Sequence, residues 1–261
     1  RGFKVSELHK PEIKRPVKSS IITDNYDNWL GVSKERDAKE SIHEFRQIYY
    51  DWLIVDHYGL DQAWEKRVKP HVRNLMVIDD LANRVHHCDL LLDQNWFRNK
   101  EKRYNGLVPK MCTKLLGPEY ALLRPEFFKA RKDLKPRSSQ IQRVFIFFGG
   151  SDLDNLTGIT LEVLSDLEFA HLEVDVVIGM NNENRPQIEQ QVKSRSLTRL
   201  HVQIDNLAEI MAKADLGIGA GGVNTWERLS LNIDTLVITT ANNQIETIRN
   251  LHKSGYIFYL G

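Results

Sequence analysis

The sequence predicts an α/β protein built of two βαβ domains joined by a linker. Three observations point there. Short apolar runs end in polar or glycine-rich turns at 52–58, 75–80, 90–95, 144–152 and 216–222. Helix-compatible segments separate them at the intervals parallel strands require. Between the two series lies Asp133–Gln142, a polar stretch with Lys135–Pro136 and Ser138–Ser139, which reads as a linker. The expected division is therefore a first domain at 1–132, a linker at 133–142 and a second domain at 143–261.

The elements follow in order. Phe3–Leu8 alternates apolar and polar residues and is expected to be a strand. Ser33 to Tyr50 reads as an amphipathic helix, with Ala38, Ile42, Phe45 and Ile48/Tyr49 on one face. Trp52–Val55 reads as a short buried strand, and Asp61 to about Val68 as a helix with Asp61 as its N-cap. Leu75–Ile78 and Leu90–Leu92 are the next strands, and Tyr120–Lys132 an extended piece followed by a helix. In the second half the strands are expected at Val144–Phe148, Glu173–Ile178, Leu200–Val202, Leu216–Ile218, Thr235–Thr239 and Tyr256–Tyr259. Helices are expected from Asn155, around Ile188, and at Leu207–Lys213, Asn224–Leu231 and Gln244–His252.

Composition narrows the function classes. The 261 residues are 41% hydrophobic and 27% charged, ordinary for a globular chain. A net charge of +1 provides no global field for nucleic acid or an anionic membrane, and no run approaches the length of a membrane span. The two cysteines, Cys88 and Cys112, lack metal-type spacing and suit a reducing, cytoplasmic setting. Neither nucleic acid nor membrane is an expected partner.

The organising stretch is Leu216–Arg228, where four glycines in six positions end an apolar run and a helix follows. Glycines let a backbone turn sharply and approach a ligand, and first-turn amides have no intrahelical partner. The stretch reads either as a diphosphate cradle or as a tight strand-to-helix turn. Gly149, Gly150 and Ser151 stand in the same context; their amides approach the same ligand, or Ser151 or Asp152 simply caps the helix. Glu227 reads either as a ribose ligand or as a solvated helix glutamate. Asp56–His57–Tyr58 offers an acid/base pair or a polar cluster satisfying loop backbone. Asn242–Asn243–Gln244 offers amides for a sugar or a helix cap. Asp79–Asp80 and His86–His87–Cys88 fit metal geometry poorly, because adjacent strand residues point apart and the histidines lack a second cluster.

Together these pieces resemble the UDP-sugar hydrolases of pseudaminic acid biosynthesis. The resemblance is carried by Trp29–Leu–Gly–Val–Ser33, Val55–Asp–His–Tyr58, Val77–Ile–Asp–Asp–Leu81, His87–Cys–Asp–Leu–Leu–Leu–Asp93, Leu107–Val–Pro109 and Tyr120–Ala–Leu–Leu–Arg–Pro–Glu–Phe127. It continues through Phe148–Gly–Gly–Ser–Asp152, Asn155–Leu–Thr157, Gly219–Ala–Gly–Gly222, Trp226–Glu–Arg228 and Asn243–Gln244.

The resemblance implies a GT-B-like fold with two Rossmann-like domains, a cleft between them, and UDP held mainly by the C-terminal one. It assigns the ribose to Glu227, and the diphosphate to Gly221, Gly222 and the following amides of Val223 and Asn224. Uracil falls to the backbone near Gln203–Ile204, and the sugar and attacking water to Tyr58 and Asn243. The implied reaction is metal-independent hydrolysis at the anomeric carbon, with inversion, by a monomer needing no cofactor. The family opens with a strand, a Gly–His loop and a helix that have no counterpart here. The N-terminal domain is therefore expected to be incomplete, and the chain to bind UDP but turn over UDP-sugar weakly or not at all.

Overall fold

The chain forms two units, Arg1–Ala121 and Leu122–Gly261. The computed structural model describes residues 5–9, 26–45, 48–137 and 140–261.

The first unit is a four-stranded parallel sheet in sequential order: β1 (Tyr50–Val55), β2 (Val72–Ile78), β3 (Leu90–Asp93) and β4 (Thr113–Leu116). Its core gathers Val55, Trp64, Val68, Leu75, Val77, Leu91 and Tyr104. Helix α1 (Lys34–Phe45) buries Ala38 and packs Ile42 and Phe45 on this core, the one-sided apolar spacing expected of an amphipathic helix. The Ser33 hydroxyl accepts from the Arg36 amide at 3.2 Å. Helix α2 (Gln62–Val68) starts on Asp61, whose carboxylate accepts from the Ala63 amide at 2.9 Å, as expected of an N-cap. The Trp64 indole donates to Asp37 Oδ1 at 2.7 Å and ties the two helices together.

The second unit is a six-stranded sheet, entirely parallel, ordered β10-β9-β8-β5-β6-β7. Its strands are β5 (Arg143–Phe147), β6 (Glu173–Ile178), β7 (Thr198–Val202), β8 (Leu216–Ala220), β9 (Asp234–Ile238) and β10 (Phe258–Tyr259). The helices are α3 (Pro125–Lys132), α4 (Leu156–Leu164), α5 (Arg185–Ser194), α6 (Leu207–Met211), α7 (Asn224–Ser230) and α8 (Asn242–Lys253). The chain winds outward from β5 to β7, then returns to β8 on the other side of β5. That reversal makes the β5/β8 boundary a topological switch point, where open α/β sheets bind ligands at their strand carboxyl ends. Among the described residues no helix is long and apolar enough to cross a membrane.

Several expectations change. Residues 5–8 form no strand, and Phe3 and Lys4 lie outside the described residues. The helix expected from Ser33 to Tyr50 stops at Phe45, and Tyr50 already belongs to β1. Strand β1 is mostly exposed rather than buried: Trp52 and Ile54 keep 48% and 58% of their surface. It pairs with β2 at the start of the sheet order, and among the described residues no strand pairs with its other side. Strand β4 was not foreseen.

The division falls ahead of α3 rather than after it. Phe127 of α3 is buried among Phe145, Leu207, Met211 and Leu231, all of the second unit. The start of the expected linker is likewise fastened to that unit. Leu134 packs on the same cluster, and the Arg137 guanidinium donates to the carbonyls of Ala214 at 2.9 Å and Leu231 at 2.8 Å. Ser138 and Ser139 lie outside the described residues. Cys88 and Cys112, distant in sequence, bring their sulfurs to 3.6 Å as free thiols.

Candidate nucleotide site in the second unit

Two of the four glycines in Leu216–Gly222 belong to a strand and not to a turn. Gly217 and Gly219 lie inside β8. A methyl at Gly217 would sit 2.6 Å from Arg228 Cδ, and one at Gly219 2.2 Å from the Phe147 carbonyl and 2.7 Å from Arg228 Nη1. These glycines clear a channel for Arg228, which has no solvent exposure. Its Nη2 donates to the Ala220 carbonyl at 2.8 Å and to Thr225 Oγ1 at 3.2 Å, locking helix α7 to the end of β8. Burial lowers the Arg228 pKa to about 10.

The bend itself is Gly221–Gly222. A methyl at Gly221 would press within 2.7 Å of Ile248 in α8, whereas Gly222 is open apart from Gln244 at 3.8 Å. Val223 already has helical angles, and no side chain caps α7. The Thr225 and Trp226 amides bond to the Gly222 and Val223 carbonyls, both at 2.9 Å. The amides of Gly222, Val223 and Asn224 precede that first closed turn, where backbone donors point outward.

The other glycine bend, after β5, is different. Gly149 adopts φ +98°, a conformation that favours glycine. The Gly179 amide donates to the Gly150 carbonyl at 3.2 Å, and a methyl on Gly179 would lie 2.4 Å from that oxygen. Asp152 is buried, and its carboxylate accepts from the amides of Leu156 at 3.0 Å and Thr157 at 2.9 Å. Asn155 accepts from Gly158 at 3.2 Å. The capping reading holds here: the start of α4 is occupied by the chain's own carboxylate.

A cavity of about 390 Å³ opens at the carboxyl ends of β5, β6, β7 and β8, within the usual range for a ligand pocket. It is lined by Gly149 and Gly150 after β5, Gly179 after β6, Gln203 and Ile204 after β7, and Asn224 and Glu227 on α7, with Arg124 ahead of α3. Glu227 is 5% exposed and far from a solvated glutamate. Its Oε1 accepts from Arg124 Nε and Nη2, both at 3.3 Å. Its Oε2 is buried without a hydrogen-bond partner. Burial raises the Glu227 pKa; the Arg124 guanidinium opposes that without cancelling it.

Of the expected site residues, Gly149, Gly150, Ile204, Asn224 and Glu227 line this one cavity. Ser151, Gly221, Gly222 and Val223 do not line it; the last three form the bend leading to Asn224. Gln244 does not line it either, and its side-chain amide serves the start of α8: Oε1 accepts from the Thr240 amide at 2.9 Å and Nε2 donates to the Thr240 hydroxyl at 3.2 Å. Asn243 sits in the first turn of α8. Arg124 and Gly179 are among the cavity residues to which the sequence assigns no role, and Arg124 is the charged one. Its one local signal is its place immediately before Pro125, the first residue of a helix.

Tyr58 belongs to the first unit. Its hydroxyl donates to Asp80 Oδ1 at 2.7 Å, and its ring stacks on Tyr26 and Trp29 at centroid distances of 4.8 and 5.8 Å. Asn95 Nδ2 donates to Asp80 Oδ2 at 3.0 Å, and burial raises the Asp80 pKa. His57 Nδ1 accepts from the Gly59 amide at 3.0 Å and serves the loop. His86 is held between Glu65 Oε1 at 2.6 Å and, at 3.8 Å, Asp79 Oδ2. Among the described residues no group of three or more His, Cys, Asp or Glu is placed to hold a metal ion.

No protein-family model matches the chain. The UDP-2,4-diacetamido-2,4,6-trideoxy-β-L-altropyranose hydrolase of Campylobacter jejuni is 30% identical over 223 residues, covering 84% of this chain and 78% of that protein. The spore coat polysaccharide biosynthesis protein SpsG of Bacillus subtilis is 23% identical over 84% of this chain, which spans 65% of its length. Among solved structures, MurG of Acinetobacter baumannii superposes with a TM-score of 0.52 at 10% identity, over 85% of this chain and 63% of that one. The glycosyltransferase SsfS6 of Streptomyces sp. SF2575 gives 0.51 at 13% identity, over 94% and 68%. Those two likenesses show the fold: α/β, with Rossmann-like units of the GT-B type. With the identity and coverage of the Campylobacter relative, the chain belongs to the family of UDP-2,4-diacetamido-2,4,6-trideoxy-β-L-altropyranose hydrolases.

Proposed function

We propose that this protein hydrolyses a UDP-linked diacetamido-trideoxy sugar to free sugar and UDP, in the pathway to pseudaminic acid. The observation that carries the reading is the cavity at the carboxyl ends of β5–β8, lined by Glu227, one of whose oxygens is buried and unpaired. A carboxylate oxygen left without a partner costs free energy, which a ribose diol would recover.

In this reading the diphosphate lies against the Gly221–Asn224 bend, where open amides favour an anion. Uracil meets the backbone at Gln203–Ile204. Gly149 and Gly150 shape the opposite rim, with Ser151 next to them in the chain, and Gln244 buttresses the bend. We assign Tyr58 and Asn243 to the sugar and the attacking water by family resemblance. Water attacks the anomeric carbon, the C–O bond to the β-phosphate breaks, and UDP leaves with its charge met by backbone donors.

Calorimetric titration with UDP tests the nucleotide half of this reading. Binding that weakens about tenfold or more in Glu227→Gln is expected, since hydrogen bonds to a charged group contribute ~1.5–3 kcal/mol. No UDP binding, or equal binding by the variant, overturns it. Release of UDP from the UDP-sugar without an added acceptor tests the hydrolytic half; release only with an acceptor hydroxyl would indicate glycosyl transfer instead.

A further inference from the structure

Arg124 lies 103 positions from Glu227 in sequence, yet both line the same cavity. Its guanidinium places two donors, Nε and Nη2, on a single carboxylate oxygen, each at 3.3 Å. Its third nitrogen, Nη1, stands 3.0 Å from Glu126 Oε1 as an ion pair without hydrogen-bond geometry. Pro125 at the head of α3 fixes the backbone beside it. With Oε1 engaged by both donors, Oε2 is buried and without a hydrogen-bond partner.

We propose that Arg124 is a positioning and specificity-determining residue. It orients Glu227 so that Oε2 reads the ribose hydroxyls, selecting ribonucleoside diphosphates against their 2′-deoxy counterparts. This rests on the nucleotide reading of the cavity given above.

The charged groups facing Glu227 are Arg124 and Glu126 at the start of α3 and Arg228 on its own helix. Arg228 gives Nη2 to Ala220 and Thr225 while its Nε and Nη1 lack hydrogen-bond partners, and Glu126 is a like charge. Arg124 is the cation hydrogen-bonded to the carboxylate, and it opposes, without cancelling, the effect of burial on it. Without it Glu227 would protonate more readily, and a protonated acid presents fewer acceptor sites to a diol.

The test titrates UDP and 2′-deoxy-UDP into the full chain, Arg124→Leu and Arg124→Lys, across roughly pH 5.5 to 8, the range in which a buried carboxyl comes to titrate. Arg124 is 40% exposed at its side chain, so its removal should leave the fold intact, and melting curves check this. The unaltered chain is expected to prefer UDP by about tenfold or more, with little dependence on pH. Arg124→Leu is expected to bring the two ligands within about threefold of each other, and its UDP affinity should rise with pH as Glu227 ionises. Arg124→Lys should restore flat pH behaviour and part of the preference.

If Arg124→Leu weakens both ligands equally with a flat pH profile, the residue is a structural prop and the proposal is wrong, while the nucleotide site stands. If the unaltered chain binds UDP without preferring it over 2′-deoxy-UDP, the specificity claim fails by itself. If it binds neither ligand, the nucleotide reading fails and takes this one with it.

Discussion

The channel that Gly217 and Gly219 clear for Arg228 makes a prediction with two parts. In Gly217→Ala the new methyl meets only a side chain, Arg228 Cδ at 2.6 Å, against an ordinary contact of 3.4–4 Å. Overpacking of this kind costs ~1–3 kcal/mol. Replacing glycine in a strand returns ~0.5–1 kcal/mol of backbone entropy, so a net loss of about 1–2 kcal/mol is expected. In Gly219→Ala the methyl meets the Phe147 carbonyl of the neighbouring strand at 2.2 Å. Backbone cannot step aside as a side chain can, and the loss should be about 3 kcal/mol or more.

Repeating both substitutions in an Arg228→Ala background separates the causes. Arg228→Ala destabilises by itself, but that cancels in the cycle. There Gly217→Ala should become neutral or stabilising, a coupling of ~2 kcal/mol, which moves a urea midpoint by about 1 M at a typical slope. Gly219→Ala should stay costly. The assay is amide exchange at graded urea on peptides from 216–231, which reports the second unit separately. Equal costs for Gly217→Ala in both backgrounds would refute the claim that the glycine exists to admit the arginine.

Other outcomes follow from the same geometry. Burial alone would lower the His86 pKa, but the carboxylates of Asp79 and Glu65 more than reverse this and raise it to about 9 from 6.5. A group raised on folding stabilises fully below its unfolded value and loses that contribution as pH rises through the folded one. Denaturation of the first unit should therefore become easier between pH 6.5 and about 9, by up to about 3 kcal/mol, and a His86→Gln variant should show a flatter profile. Asp152→Ala should cost about 1–2 kcal/mol through loss of the α4 cap, measured as a shift in the urea midpoint. The Arg195 guanidinium donates to the carbonyls of Leu164, Phe169 and Leu172 at 2.9, 2.7 and 3.1 Å. Arg195→Leu removes the donor to the Leu164 and Leu172 carbonyls, while Phe169 keeps the Leu172 amide at 3.0 Å, and should lower stability by about 3 kcal/mol.

Much of the fold was legible because the second unit's strands are short apolar runs between strong punctuation. Glu173–Ile178 is read to the residue, and Asp61 acts as the cap its chemistry suggests; at α4 the expected capping carboxylate Asp152 is joined by Asn155, at the N-cap itself. Strand β4 escaped because Thr113–Leu116 is four residues long with only Leu116 buried, too short for a period to register. The status of β1 escaped because hydropathy reports composition, while exposure depends on where a strand falls in the sheet order. At the site, glycine spacing located the bend but could not say which glycines face a ligand and which face Arg228. That distinction depends on what packs behind the strand. Arg124 was invisible as a cavity residue because its partner is brought near only by the fold.

The two glycine bends of the second unit differ in what the chain has already placed at them. The helix after β5 begins with a built-in negative charge at its positive pole, Asp152. The helix after β8 has no side-chain cap, and the acid of its first turn, Glu227, is turned to Arg124. A second anion is therefore disfavoured at the first bend, whereas the second leaves its leading amides to an incoming group.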